Sequence, residues 1–282
     1  YMAKHAWGNA TGEDFVDALA QGDRELAAAF RTFTHQPGIP RVTVALKCDA
    51  KPRLELTQSR FLPSGVKDTR ASLWWIPVTV RTPSGTAQML LKEKTGQLPL
   101  PDAACPTWVQ ANVNGSGYYR AVYAPGQMAV LMEKADLSVE ELLANLNDMQ
   151  ALTESGDLSV TELLTIAMQF TGHPTRDVAE SALNAISRVD VMLEPGQRAA
   201  YAKVWQSAFG KRANQLGLLE QPGDSAEDRV MRASWMARYI EQSQDANLAA
   251  QATSLAQRWL KDRSSLPPGS RSLVLRSAAF DG

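Results

Sequence analysis

The sequence predicts a multidomain chain of β then α character: short N-terminal helices, an antiparallel β-sandwich, then an α-helical, solenoid-like domain of the armadillo or HEAT kind. Three observations carry this. Apolar residues alternate through Val42, Val44 and Leu46, through Leu54 and Leu56, from Trp74 to Val80 and from Ala87 to Leu91, the period of a half-buried strand. Beyond Pro125-Gly126 the apolar spacing changes to that of helices and stays there. Between the two textures, Trp108 to Tyr123 holds two aromatic and β-branched runs around Asn114-Gly115-Ser116-Gly117, which predicts a hairpin closing the β part. The expected divisions are residues 1–35 for the terminal helices, 36–125 for the sandwich and 126–282 for the helical domain.

Residues 1 to about 33 read as helical, with Thr11 or Asn9 capping ahead of Glu13-Asp14 and a break near Gln21-Gly22-Asp23. Gln36-Pro37-Gly38-Ile39-Pro40 ends the helical period, because proline restricts its predecessor and lacks a donor. Pro83-Ser84-Gly85 reads as the turn between two strands. In the helical part, Asp136-Leu137-Ser138-Val139-Glu140-Glu141-Leu142-Leu143 nearly repeats as Asp157-Leu158-Ser159-Val160-Thr161-Glu162-Leu163-Leu164. Ser138 with Glu141, and Ser159 with Glu162, have capping-box spacing, so Glu140, Glu141 and Glu162 read as cap and dipole partners rather than a catalytic set. Further helices are expected over Val178 to Leu193, Tyr201 to Ala208, from Ser225 with Asp228, and over Leu248 to Trp259. Successive helices joined by short polar turns suit an array of antiparallel pairs.

A chain of 282 residues with 44% hydrophobic and 21% charged residues can bury a core. Its net charge of −1, without runs of one sign, excludes an electrostatic footprint for nucleic acid. No apolar run approaches the roughly 20 residues of a membrane span, so no membrane partner is expected and the segment reads as soluble. The chain starts at Tyr1 on what reads as an ongoing helix, which suggests a piece of a longer protein. The compartment stays open, the cytoplasm slightly favoured over the periplasm. Cys48 and Cys105 match no metal-ligand spacing; buried free thiols are expected ahead of a disulfide or ligand role.

His5, His35 and His173 are the three histidines, and no two stand at i and i+4. There is no His-Glu-x-x-His helix, no Gly-x-Ser-x-Gly elbow and no phosphate loop. Gly115-Ser116-Gly117 has Arg120 where a dinucleotide fingerprint needs its third glycine, and reads as turn. Trp205, Trp235, Trp259 and Tyr239 read as helix packing rather than a peptide-binding set. No catalytic, cofactor-binding or metal-binding residue is expected here.

Several stretches nevertheless resemble, in order, the gluzincin aminopeptidases of the aminopeptidase N type downstream of their zinc site. Tyr1-Met2, His5, Asn9-Ala10-Thr11 and Asp14-Phe15 are similar to the last helices of that catalytic domain, and Phe33-Thr34-His35-Gln36-Pro37-Gly38-Ile39-Pro40 to the entry into the sandwich. Leu56-Thr57-Gln58-Ser59-Arg60-Phe61, Trp75-Ile76-Pro77-Val78 and Gly117-Tyr118-Tyr119-Arg120-Ala121-Val122-Tyr123 resemble elements of the sandwich. Leu146 to Leu152, with Asp148, resembles the first helix pair. Phe33, Ile39 and Ala121 depart from the family's residues in packing only, which suggests a divergent bacterial-type member.

The resemblance implies a non-catalytic portion of a zinc-dependent aminopeptidase, with zinc in the parent and no cofactor here. The implied partners are the catalytic domain of the same parent chain and a peptide substrate. The segment would supply a spacer and the wall of the substrate chamber, its helical domain cut short at the C-terminus. The alternative expectation is a scaffold or adaptor that binds a protein partner through the helical array. At the seam, at least one of Tyr118, Tyr119 and Tyr123 is expected to pack between the two parts, with Arg120 paired.

Overall fold

The structure is a computed structural model that describes residues 1–49, 51–70 and 72–281, with side chains through Ala279. Among these residues the elements run sheet first and helices after, following two short helices, α1 (Gly12–Ala20) and α2 (Arg24–Thr34). Of the two expected caps, Thr11 is the one used, reciprocally with Asp14, and Asp23 caps α2. Residues ahead of Thr11 form turns rather than a helix running in from Tyr1, with the His5 N–H donating to the Tyr1 carbonyl at 3.2 Å.

Six strands follow: β1 (Pro40–Lys47), β2 (Arg53–Arg60), β3 (Ile76–Thr82), β4 (Gly85–Leu91), β5 (Thr95–Pro99) and β6 (Arg120–Tyr123). They form one sheet in the order β5-β2-β1-β6 and a second sheet of β3 and β4. Inward residues of both sheets share one core: Val42, Val44, Leu54 and Leu56 from the first, Ile76, Val78, Val80 and Leu91 from the second, with Trp74 fully buried between. Alternation along each strand places these positions on one face. Thr82 pairs with Gly85 across the turn expected at Pro83 to Gly85.

Two expectations fail here. The stretch Trp108 to Tyr123 is not a hairpin, and the first sheet is not wholly antiparallel. β6 lies parallel to β1, from Arg41 opposite Arg120 to Val44 opposite Tyr123. The first run makes only a bridge from Gln110 to Arg81 of β3. The Asn-Gly pair does supply positive φ, 57° at Asn114 and 60° at Gly115. It spends that freedom on a 3-10 turn, Val113–Gly115, rather than a two-residue reversal. A side chain on Gly115 would meet the Glu140 carbonyl oxygen and Ala144 Cβ at 3.0 and 2.9 Å, so glycine lets this turn lie against the next helix.

Cys48 and Cys105 form a disulfide rather than free thiols. Lys47 and Pro99 both pair with Arg53, on opposite sides of β2, which brings the C-terminal ends of β1 and β5 to one end of the sheet. A separation of 57 residues hides that proximity in the sequence.

The chain divides into two compact units, Tyr1–Ile186 and Ser187–Gly282. The first also holds α3 (Gln127–Lys134), α4 (Val139–Ser155), α5 (Val160–Ala167) and α6 (Arg176–Ser187), the last crossing the division by one residue. The second holds α7 (Arg198–Leu216), α8 (Ala226–Ser243), α9 (Ala246–Lys261) and α10 (Pro268–Asp281). Its core is a run of rings: Tyr201, Trp205 and Phe209 follow one face of α7, and Phe209 meets Trp235 of α8 edge-on at 4.9 Å. Arg232, almost wholly buried, forks onto Asp224 at 2.7 and 3.0 Å and donates to the Leu216 carbonyl at 2.9 Å, closing the link from α7 to α8.

Candidate functional site at the sheet-to-helix joint

Within the first unit, α4 is mounted on the strands by three polar side chains, Glu141, Asn145 and Asp148. Their spacing puts them on one helical stripe, and all three are buried. Glu141 begins as the capping partner of Ser138, with both reciprocal bonds present. It does more than cap. Its Oε2 accepts from Arg81 of β3 at 2.5 Å, and its Oε1 from the Asn114 N–H at 3.3 Å. One turn on, the Asn145 amide donates to Gln110 Oε1 at 3.0 Å, while Gln110 Nε2 donates to the Asn112 carbonyl at 2.9 Å. One turn further, Asp148 accepts from Arg120 Nη1 at 2.8 Å and from the Ala121 N–H at 3.1 Å.

Arg120 is therefore paired, as expected at the seam. Burial pushes the Asp148 carboxyl up to about 6, against the opposing pull of Arg120 and the Ala121 amide. Tyr119 and Tyr123 are likewise raised by burial. The Tyr119 hydroxyl donates to the Ala111 carbonyl and the Tyr123 hydroxyl accepts from the Ala111 N–H, so two rings pin the segment that carries Gln110. Tyr118 stays largely exposed and meets Phe33 of α2 edge-on at 6.2 Å. A side chain on Gly117 would strike the Tyr119 ring at 2.3 Å.

Other sequence motifs have similar joining roles. Gln58 is fully buried: it accepts from the Trp74 N–H and donates to the Trp74 and Glu93 carbonyls, each at 2.9 Å. Gln36 donates to the Leu73 carbonyl at 2.7 Å, fastening the end of α2 to the segment that leads into β3.

The histidines are not brought together. His35 reaches Glu13 at 3.1 Å, His173 accepts from the Thr175 N–H at the start of α6, and His5 lies beside the Tyr1 ring. Ser159 caps α5 through the Glu162 N–H, but the Glu162 carboxylate turns to the Gly126 N–H at 3.3 Å, so the second capping box is half-formed. Among the described residues no group of three His, Cys, Asp or Glu could hold a metal ion, and no helix is long and apolar enough to cross a membrane. Trp205, Trp235 and Tyr239 are buried in the second unit's core, while Trp259 stacks under Arg263 at 3.8 Å. Sequence reasoning missed Gln110 and Asn145, single amides among apolar neighbours that carry no motif.

A sheet followed by helices, with a part-buried arginine-carboxylate pair between the Gly-Tyr-Tyr-Arg and Leu-Asn-Asp stretches, accompanies similarity along nearly the whole chain to the C-terminal segments of M1, or aminopeptidase N-type, aminopeptidases. Puromycin-sensitive aminopeptidase of Caenorhabditis elegans is 26% identical over 84% of this chain and 26% of its own length. Aminopeptidase M1 of Arabidopsis thaliana is 30% identical over 96% of the chain and 33% of its own length, and aminopeptidase N of Lactococcus lactis 24% over 98% and 33%. Residues 108–282 match the family described as the ERAP1-like C-terminal domain, and the chain belongs to that family. It spans a third or less of the length of these relatives.

Proposed function

We propose that this chain is the non-catalytic C-terminal portion of a zinc-dependent aminopeptidase that removes N-terminal residues from peptides. Residues 1–35 would end the catalytic domain, 36–125 form a β-sandwich spacer, and 126–282 form a solenoid-like domain that walls the substrate chamber. Its partners are the catalytic domain of the same parent chain and the peptide, with no zinc, catalytic or cofactor residue in this segment. The observation that carries this reading is the ordered similarity to aminopeptidases along the chain. The buried joint on α4 supports the spacer role, because directional bonds hold a helix at fixed orientation to a sheet. The disulfide favours an oxidising compartment, such as the periplasm, over the cytoplasm.

The parent reading frame upstream of Tyr1 is expected to encode His-Glu-x-x-His with a downstream glutamate. The purified 282-residue chain is expected to bind no stoichiometric zinc and to leave aminoacyl anilides intact. Stoichiometric zinc with anilide cleavage would overturn the assignment of a non-catalytic portion. A parent without the zinc motif would instead favour an adaptor that binds a protein partner through its helices.

A further inference from the structure

In the Leu-Thr-Gln-Ser-Arg-Phe run, Gln58 is consumed by main-chain partners, but Arg60, on the same side of β2, is not. Its Nε is buried against Gly38 without a hydrogen-bond partner, and no carboxylate among the described residues pairs with its guanidinium, so the charge is left for something else to meet. Gly38, at φ +110°, makes room for this side chain: a Cβ there would lie 2.6 Å from Arg60 Nε. A cavity of about 520 Å³ opens beside it, lined by Gln58, Arg60, Thr69, Arg70, Ser72 and Lys94 among others.

Three cationic residues thus line one space, with a single carboxylate residue, Asp68, among the others on its wall. Asp68 Oδ1 already accepts from the Arg70 N–H at 3.0 Å. Elsewhere in the unit, Arg31 is paired with Glu13, Arg53 with Asp49 and Lys92 with Glu25. Unpaired cations converging on a cavity are the inverse of that pattern, in a chain of net charge −1. Guanidinium groups match carboxylate and phosphate geometry with paired donors, and the hydroxyls of Thr69 and Ser72 can add to the set. The volume suits a small molecule.

We propose that this cavity binds a small oxyanion, a ligand carrying a phosphate or carboxylate group, independently of any peptidase role. The test is calorimetric titration of the 282-residue chain with inorganic phosphate and with citrate, ionic strength held constant with chloride. Saturable binding is expected. The double variant Arg70→Gln/Lys94→Gln should weaken it about tenfold or more, whereas Arg24→Gln/Lys203→Gln, which removes the same charge from exposed helix positions elsewhere, should leave it unchanged. Arg60→Lys keeps the charge and loses the fork, and should also weaken binding while the circular dichroism stays native. Equal loss in both double variants, or no saturation with either anion, would overturn the proposal. Saturation by a poly-glutamate peptide alone would do the same, marking the cavity as a socket for an acidic segment.

Discussion

The first unit holds its principal helix, α4, to the strands by three buried polar side chains, whereas in the second α7 and α8 meet through an edge-on ring pair, with arginine-carboxylate pairs beside it. Both arrangements exclude water, but they differ in what they fix. Apolar contacts are roughly proportional to area and tolerate small rotations, while Glu141, Asn145 and Asp148 each require a particular partner at a particular distance. The core face of α4 is specified by direction and that of α7 by volume.

Removing volume from the second unit gives the largest expected effect. Trp205→Ala should destabilise it by about 3–5 kcal/mol, read as faster hydrogen exchange in Ser187–Gly282. Equal loosening of α4 would break the contrast. Reducing the disulfide should act on the other unit alone. Releasing a loop closed over a separation of 57 residues costs at most about 4 kcal/mol by the chain-entropy argument, and unfolding with and without dithiothreitol measures it.

Asp148 offers a sharper test. Its carboxyl titrates at about 6 in the fold and near 4 in an unfolded chain. Between these values the folded state keeps a proton that the unfolded state has released, so this residue stabilises the fold as pH falls from 7 through 6 towards 4. Asp148→Asn stands in for the neutral carboxyl but offers one acceptor to the two donors of Arg120 and Ala121. It should lack the gain, so its deficit against the wild type should be larger at pH 5 than at pH 7 by about 1 kcal/mol. Denaturant midpoints at both pH values decide it. The smallest effects are at the caps: Ser225→Ala, in the second unit, should cost about 1 kcal/mol. Ser138→Ala should cost the same or less, because Glu141 keeps its bonds to Arg81 and Asn114.

The same contrast governs what the sequence revealed. The rings of α7 recur at Tyr201, Trp205 and Phe209, so a helical apolar face is legible, as are the caps at Ser138, Ser159 and Ser225. α4 misleads, because its inward stripe is polar: Glu141 and Asp148 have the spacing of a solvated face, yet both are buried. Arg120 was legible as a paired residue, although its partner lies 28 positions away. Non-local pairing was not legible in the strands either. The parallel match of β6 to β1 and the bond from Cys48 to Cys105 depend on which edges meet, and alternation within one strand is silent on that. Nor does any motif announce the cavity beside Arg60, assembled from β2, the loop before β3 and the link from β4 to β5.

A helix seated by grease alone can turn about its own axis like a shaft in an oiled sleeve. α4 is keyed, with three teeth along successive turns, each in its own slot on the strands. Slipping by one residue would rotate the stripe by about 100° and empty all three slots together. Its azimuth is thus set at the strands, and α5 packs on a helix already fixed in rotation.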